Sequence, residues 1–228
     1  ATRPQKRSGN LQEGNMDMDQ SEMKIEFNDN EIILYKKLSI IDYMVLDFSE
    51  ILARNNIRYV LFSRYVSILL GNETCENKEE RKDIDILIQN IAFEKFLKLW
   101  LEIERSYECK NTSDPIDAYN AYLKNYHAVK IIKKDSQIAE FRIKIVKNEL
   151  DRFTLKYRKK VILGDRILFI SPLEMQIPYN LFKGSRKDID DARYLYKLSR
   201  EKLNITMMER FLSELKIPRE SIDIYLKI

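Results

Sequence analysis

Asp83 and Asp85 flank a single isoleucine in the stretch RKDIDILIQN, residues 81–90, just before an apolar run. Side chains alternate along a strand, so the two aspartates share one face, about 6–7 Å apart at their Cα atoms. Like charges held that close call for a cation between them. A pair of magnesium ions about 4 Å apart, bridging to a triphosphate, suits two hard carboxylates. The plainer reading is an exposed strand edge with no chemistry.

Two further stretches bear on that choice. IRYVLF, 57–62, is a short buried strand, and SRYVSILLG, 63–71, follows it with helical spacing and stops at Gly71. The free N–H groups and positive end of a helix led by Ser63 suit phosphate oxygens. In QIAEFRIKIV, alternation places Ile138, Glu140, Arg142 and Lys144 on one face and Ala139, Phe141, Ile143 and Ile145 on the other, the core face. Glu140 is therefore the candidate third carboxylate, with Arg142 and Lys144 lining the same surface. A half-exposed strand would alternate in the same way.

Composition narrows the alternatives. The chain has 228 residues, 44% hydrophobic and 11% aromatic, which suits one sizeable core or a core with a small lobe. Cys75, Cys109 and the lone His127 are too few for a Cys/His zinc site. Nothing near His127 has the nucleophile turn of a hydrolase. No apolar run approaches the roughly 20 residues of a membrane span, and the N-terminal stretch is polar throughout, so a cytoplasmic protein is expected. The net charge is only +4, yet residues 124–166 hold 13 Lys or Arg against 5 Asp or Glu, a local excess of +8. Such a block suits phosphates, RNA or a protein acceptor, or is a solvated lysine-rich face.

The elements that position these residues are read from periodicity. Residues 1–25 lack it and are expected to be a disordered tail or an expression remnant. Leu34, Leu38, Ile41, Val45, Phe48 and Leu52 step along one helix face, predicting a helix from Glu31 to about Asn55. Phe93, Phe96, Leu97, Trp100 and Leu101 mark another helix. AVKIIKK with IAEFRIKIV, and KKVILGDRILFI about Gly164-Asp165, read as two strand pairs. In SPLE, Ser171 is the expected N-cap, with proline and then glutamate behind it. Pro178 should kink or shorten that helix, and Ser185 with Asp188 predicts a second capped helix. Two short helices near 206–215 and 219–226 end the chain. The expectation is an α+β domain over 26–170, a mixed β-sheet flanked by helices, then a helical lobe over 171–228.

Strand, Ser-led helix, glycine and Asp-x-Asp strand together resemble the polymerase-β-like nucleotidyltransferase superfamily. YVLFSRYVSILLG, DIDILI and SPLEMQIPYNLFKGSRKDIDDARYLY are similar to small archaeal nucleotidyltransferase-like proteins related to the toxin-side enzymes of toxin–antitoxin systems. The resemblance runs from about Glu31 to the last helix. It implies that Asp83 and Asp85 bind Mg2+ or Mn2+, that the Ser63 turn holds an NTP, and that Asp191 lies near the site. It implies transfer of an NMP to a hydroxyl of RNA or protein, with Glu140 completing the metal site and assisting deprotonation. Arg64 stands where relatives carry glycine, Asn180 where lysine is common, and a long Asn72–Lys82 loop places Arg81 where Ser or Thr is usual. Lys183 or Lys187 is the candidate replacement for the missing lysine. The alternative is a catalytically weakened member that binds nucleotide, RNA or a partner protein.

Overall fold

The computed structural model describes residues 23–28, 31–72 and 82–226, so the tail before Met23, Cys75 and Arg81 lie outside the described residues. The architecture is α+β, built on one mixed sheet. Its strands are β1 (Lys24–Phe27), β2 (Glu31–Tyr35), β3 (Tyr59–Phe62), β4 (Lys82–Ile88), β5 (Tyr107–Cys109), β6 (Val129–Lys133), β7 (Ala139–Ile145), β8 (Lys159–Leu163) and β9 (Arg166–Ile170). They lie in the order β1-β2-β8-β9-β3-β4-β7-β6-β5. β3 runs antiparallel to β4, whereas β4 runs parallel to β7. No helix among the described residues is long and apolar enough to cross a membrane.

The helix expected from Glu31 is corrected at its start. Residues 31–35 form β2, with Ile32 and Leu34 buried on one side, and the helix α1 begins only at Ile40 and ends at Arg54. A period-two run thus precedes the period-3.6 run, and Leu34 fits both patterns. Ser39 stops the strand by capping α1: it accepts from the Asp42 amide, and the Asp42 carboxylate accepts from the Ser39 amide. β1 likewise begins inside the segment expected as tail.

The same Asp42 is fully buried. Lys36 Nζ lies 3.0 Å from its Oδ2, and Tyr65 Oη donates to its Oδ1 at 2.9 Å. Burial beside this carboxylate raises the Tyr65 phenol well above its ordinary pKa, so it remains a donor. Three stretches of chain, the β2–α1 connection, α1 and the helix after β3, are thereby tied to one charge.

The two faces of the central strands differ. Ile84, Ile86, Phe141 and Ile143 face α1 and α3 (Phe93–Ile103), where Phe48 stacks on Phe141 at 4.3 Å between ring centroids. The opposite face carries a smaller apolar cluster of Val60, Leu87, Val146 and Leu155. It rests under α5 (Glu149–Lys156), whose N-cap Asn148 and Asp151 form another capping box. Between β5 and β6 lie α4 (Pro115–Asp117), a wide turn at Ala118–Tyr122 and a tight one at Leu123–Asn125.

The chain finishes in four helices, α6 (Leu173–Lys183), α7 (Arg186–Ser199), α8 (Ile205–Glu214) and α9 (Arg219–Leu226). α6 runs through Pro178 to Lys183, so that proline does not shorten it, and Gly184 closes it in the left-handed conformation at φ 70°. Its N-cap is Pro172, one residue later than expected, and Ser171 gives it no capping bond. Ser185 does cap α7, accepting from the Asp188 amide at 3.2 Å.

Asp42→Ala removes one partner of a buried ion pair and an N-cap bond at once. It is expected to lower unfolding free energy by about 3–5 kcal/mol, and Tyr65→Phe by about 1.5–3 kcal/mol, in urea titrations. A loss below about 1 kcal/mol for Asp42→Ala would show that the knot does not hold α1 in place.

Candidate functional site

Strand pairing gathers the charged residues on the lightly covered face. Asp83 pairs with Glu140, Asp85 with Arg142 and Leu87 with Lys144 across β4 and β7, while Phe62 of β3 pairs with Asp85 from the other side. Residues opposite one another in a sheet project to the same face, so the aspartates and the polar set of β7 share a surface as alternation predicts. The Asp83 side chain is 48% exposed and that of Asp85 14%. Arg142 leans over both. Its Nη1 donates to Asp83 Oδ2 at 2.9 Å, its Nε is 3.8 Å from Asp85 Oδ1, and that buried Nε makes no hydrogen bond among the described residues.

Glu140 is on this face but only 4% exposed. Among the described residues no three His, Cys, Asp or Glu side chains gather as a metal cage. Glu140, the expected third carboxylate, is thus enclosed, and the aspartate pair, Asp83 above all, is the part of the set open to solvent. The pair still fits Mg2+ or Mn2+ in kind. Magnesium is commonly held by one or two carboxylates, with substrate phosphates and waters completing its shell. That a cationic guanidinium already leans on the two aspartates shows what their shared charge attracts.

The turn after β3 is the second component. Ser63 has φ 66° and ψ −149°, a backbone conformation that is almost restricted to glycine and costs about 1–3 kcal/mol. The glycine-like position therefore falls on Ser63, one residue before Arg64, where sequence reading expected it. Gln176 of α6 holds the strained residue in place. Its Oε1 accepts from the Ser63 amide at 2.9 Å and from Ser171 Oγ at 2.6 Å, and its Nε2 donates to Asn180 Oδ1 at 2.8 Å. Ser171 thus serves this network in place of the helix cap.

Cations surround the turn. Lys183 Nζ donates to Ser63 Oγ at 3.2 Å and sits 2.8 Å from Asp188 Oδ1. Asp188 is fixed by Ser185 Oγ at 2.5 Å. Asn180 is fully buried, and its Nδ2 has no hydrogen-bond partner among the described residues. Lys183, one turn further along α6, places a cation beside the Ser63 turn. Arg64 is half-buried at the first position of α2 (Arg64–Leu69) and makes no hydrogen bond or ion pair among the described residues. With six residues, α2 has a weaker dipole than the nine-residue helix expected, so charge at the turn rests more on side chains. Lys187 is exposed in the first turn of α7. Asp191 is 1% exposed and accepts from Asn72 Nδ2 at 2.8 Å, so its carboxylate joins α7 to the end of the α2 segment rather than facing the open turn.

A cavity of about 420 Å³ is lined by Phe62, Tyr126, Lys144, Lys147, Gln176 and Tyr179 among others, and touches the site through Phe62, the strand partner of Asp85, and through Gln176. Tyr179 packs edge-on against Phe62, with ring centroids 6.0 Å apart. Burial first, then the charges of Asp85, Asp151 and Asp188, raise its phenol above the ordinary value and keep it protonated. Tyr126, Lys144 and Lys147 belong to the basic 124–166 block, which thus lines this cavity. Gln176 was not among the expected site residues. Its signal was present as the spacing Gln176, Asn180, Lys183, a polar stripe on one face of an otherwise apolar helix.

Ser63→Gly relieves the strained backbone, whereas Ser63→Ala keeps the strain and loses the Lys183 contact. In urea unfolding, Ser63→Gly is expected to match or exceed the parent, with Ser63→Ala about 1–2 kcal/mol less stable than Ser63→Gly. Equal losses in both variants would contradict the strain at this residue.

No protein-family model matches the chain, and no curated protein matches it. Among solved structures the chain is similar to an antigenic nucleotidyltransferase-like protein from Paracoccidioides brasiliensis. The identity is 15%, over 81% of this chain and 91% of that one, with a TM-score of 0.47.

Proposed function

We propose that this chain is a cytoplasmic, divalent-cation-dependent nucleotidyltransferase that moves an NMP from an NTP to a hydroxyl of RNA or protein and releases pyrophosphate. One observation carries the reading: the pairing of Phe62 with Asp85 puts the Ser63 turn, with Lys183 on its hydroxyl, beside the aspartate pair. The segments that resemble archaeal and toxin-side nucleotidyltransferases, β3–α2, β4 and α6–α7, are the ones that build this place.

Asp83 and Asp85 would hold Mg2+ or Mn2+, and the ion would neutralise charge developing on the transferred phosphoryl group. Ser63 Oγ accepts from Lys183, so its own proton is available to a phosphate oxygen. Lys183, Arg64 and Lys187 offset the triphosphate charge from the α6, α2 and α7 sides. The acceptor oxygen bonds to the α-phosphorus as the bond to pyrophosphate breaks, and its proton passes to solvent water on the open face where Asp83 is exposed. Positioning and charge neutralisation account for most of such a reaction. The basic 124–166 block, reaching the cavity through Lys144 and Lys147, is the surface offered to the acceptor.

A second reading has its own support. Arg142 bridging toward both aspartates, with Arg64 at the turn, favours a protein that binds nucleotide, RNA or a partner protein without turnover.

Incubation with each α-32P-labelled NTP, Mg2+ or Mn2+, and total RNA or protein distinguishes the two. Label transfer is expected, with Asp83→Ala and Asp85→Ala each lowering it about 100-fold or more. Lys183→Ala is expected to raise the KM for NTP about tenfold through lost phosphate contact. Nucleotide binding without transfer to any acceptor would establish the second reading, and transfer indifferent to both aspartates would refute the first.

A further inference from the structure

The charge pattern on β4 and β7 points to a role for Arg142 that rests on the reading above. We infer that Arg142 is a substrate-binding residue that exchanges counter-ions. It neutralises Asp83 and Asp85 before substrate arrives and transfers its guanidinium to the phosphates of the incoming nucleotide when a divalent cation takes the pair.

Three features support the exchange. First, Arg142 is poorly anchored for a structural ion pair. A guanidinium has five donors in a planar fork and favours bidentate contact with carboxylates. Here one short bond reaches Asp83, the approach to Asp85 is 3.8 Å, and the buried Nε has no hydrogen-bond partner among the described residues. Second, the side chain is 32% exposed on the open face and lies over the aspartates from β7. A phosphate above the pair is therefore within the sweep of the same side chain. Third, Lys183 is held at the adjoining turn by Ser63 and Asp188, so it does not neutralise the aspartate pair. No other Lys or Arg makes an ion pair with Asp83 or Asp85 among the described residues.

The electrostatic consequence follows from these contacts. A guanidinium and a divalent cation beside the same two carboxylates repel each other. A metal ion binding alone must displace Arg142 into water, whereas a metal ion binding with a nucleotide gives Arg142 a phosphate partner. Metal and nucleotide therefore favour each other's binding, and the coupling is reciprocal. The arrangement disfavours ion uptake without substrate and gives the displaced arginine a fixed task in the loaded site.

The test uses the whole protein and Mn2+ as probe, with free Mn2+ read by electron paramagnetic resonance and no turnover required. Without nucleotide, Arg142→Gln is expected to bind Mn2+ about tenfold more tightly than the parent, a typical size for such coupling. With Mn2+ saturating, the same variant is expected to bind a non-hydrolysable NTP analogue about tenfold more weakly. Arg142→Lys, which keeps the charge but not the fork, should retain parental Mn2+ affinity and lose nucleotide affinity, and it stands in if the glutamine variant does not fold. Mn2+ affinity in Arg142→Gln equal to or below the parent's, or unchanged nucleotide affinity, would overturn the exchange. Asp83→Asn with Asp85→Asn separates the two claims. Mn2+ binding that survives this double change overturns the metal assignment itself, and the exchange with it.

Discussion

Two carboxylates fixed on one strand face, one residue apart, cannot move away from each other. The backbone pairing of β4 on both sides holds Asp83 and Asp85 in register with Glu140 and Arg142 of β7 and with Phe62 of β3. That constraint calls for positive charge above the strand. Arg142 supplies it from β7, and Lys183 with Arg64 supplies more around the adjoining turn. The rest of the fold can be understood as support for this surface: a thick apolar layer of α1 and α3 behind it, and a thin cluster under α5 beside it.

The site also depends on the C-terminal helices. Ser63 holds a backbone conformation suited to glycine, and what stabilises it is an amide from α6. Gln176, Asn180 and Lys183 lie on one face of that helix and meet the turn as a unit, with Asp188 of α7 behind Lys183. A change in α6 thus acts on the Ser63 turn directly. The helices of residues 171–228, the expected helical lobe, contribute side chains to the same surface as the sheet.

Much of this was legible in the sequence, for identifiable reasons. Period-two alternation placed Asp83 and Asp85 together and put Arg142 on their face, because strand geometry leaves no other option once the register is set. The hairpin at Gly164-Asp165 and the helix beginning with Ser185 announced themselves through turn and cap chemistry. β2 was hidden because Leu34 satisfies both periods and the capping box at Ser39 lies only four residues beyond Tyr35. The enclosure of Glu140 depends on what packs above a strand, which alternation does not record. Ser171 looked like a cap, but a buried glutamine five residues later offered a better acceptor. Backbone strain at Ser63 is a tertiary product of β3 meeting α6, and no local pattern signals it.

The central claim is that the aspartate pair and the Ser63–Lys183 turn hold the metal and the triphosphate of one nucleotide. Crystals grown with Mn2+ and a non-hydrolysable NTP analogue would test this through the anomalous scattering of manganese. A manganese peak is expected in contact with carboxylate oxygens of both Asp83 and Asp85, with phosphate oxygens reaching Ser63 Oγ and Lys183 Nζ. A triphosphate bound away from the turn, or manganese bound without either aspartate, would contradict it.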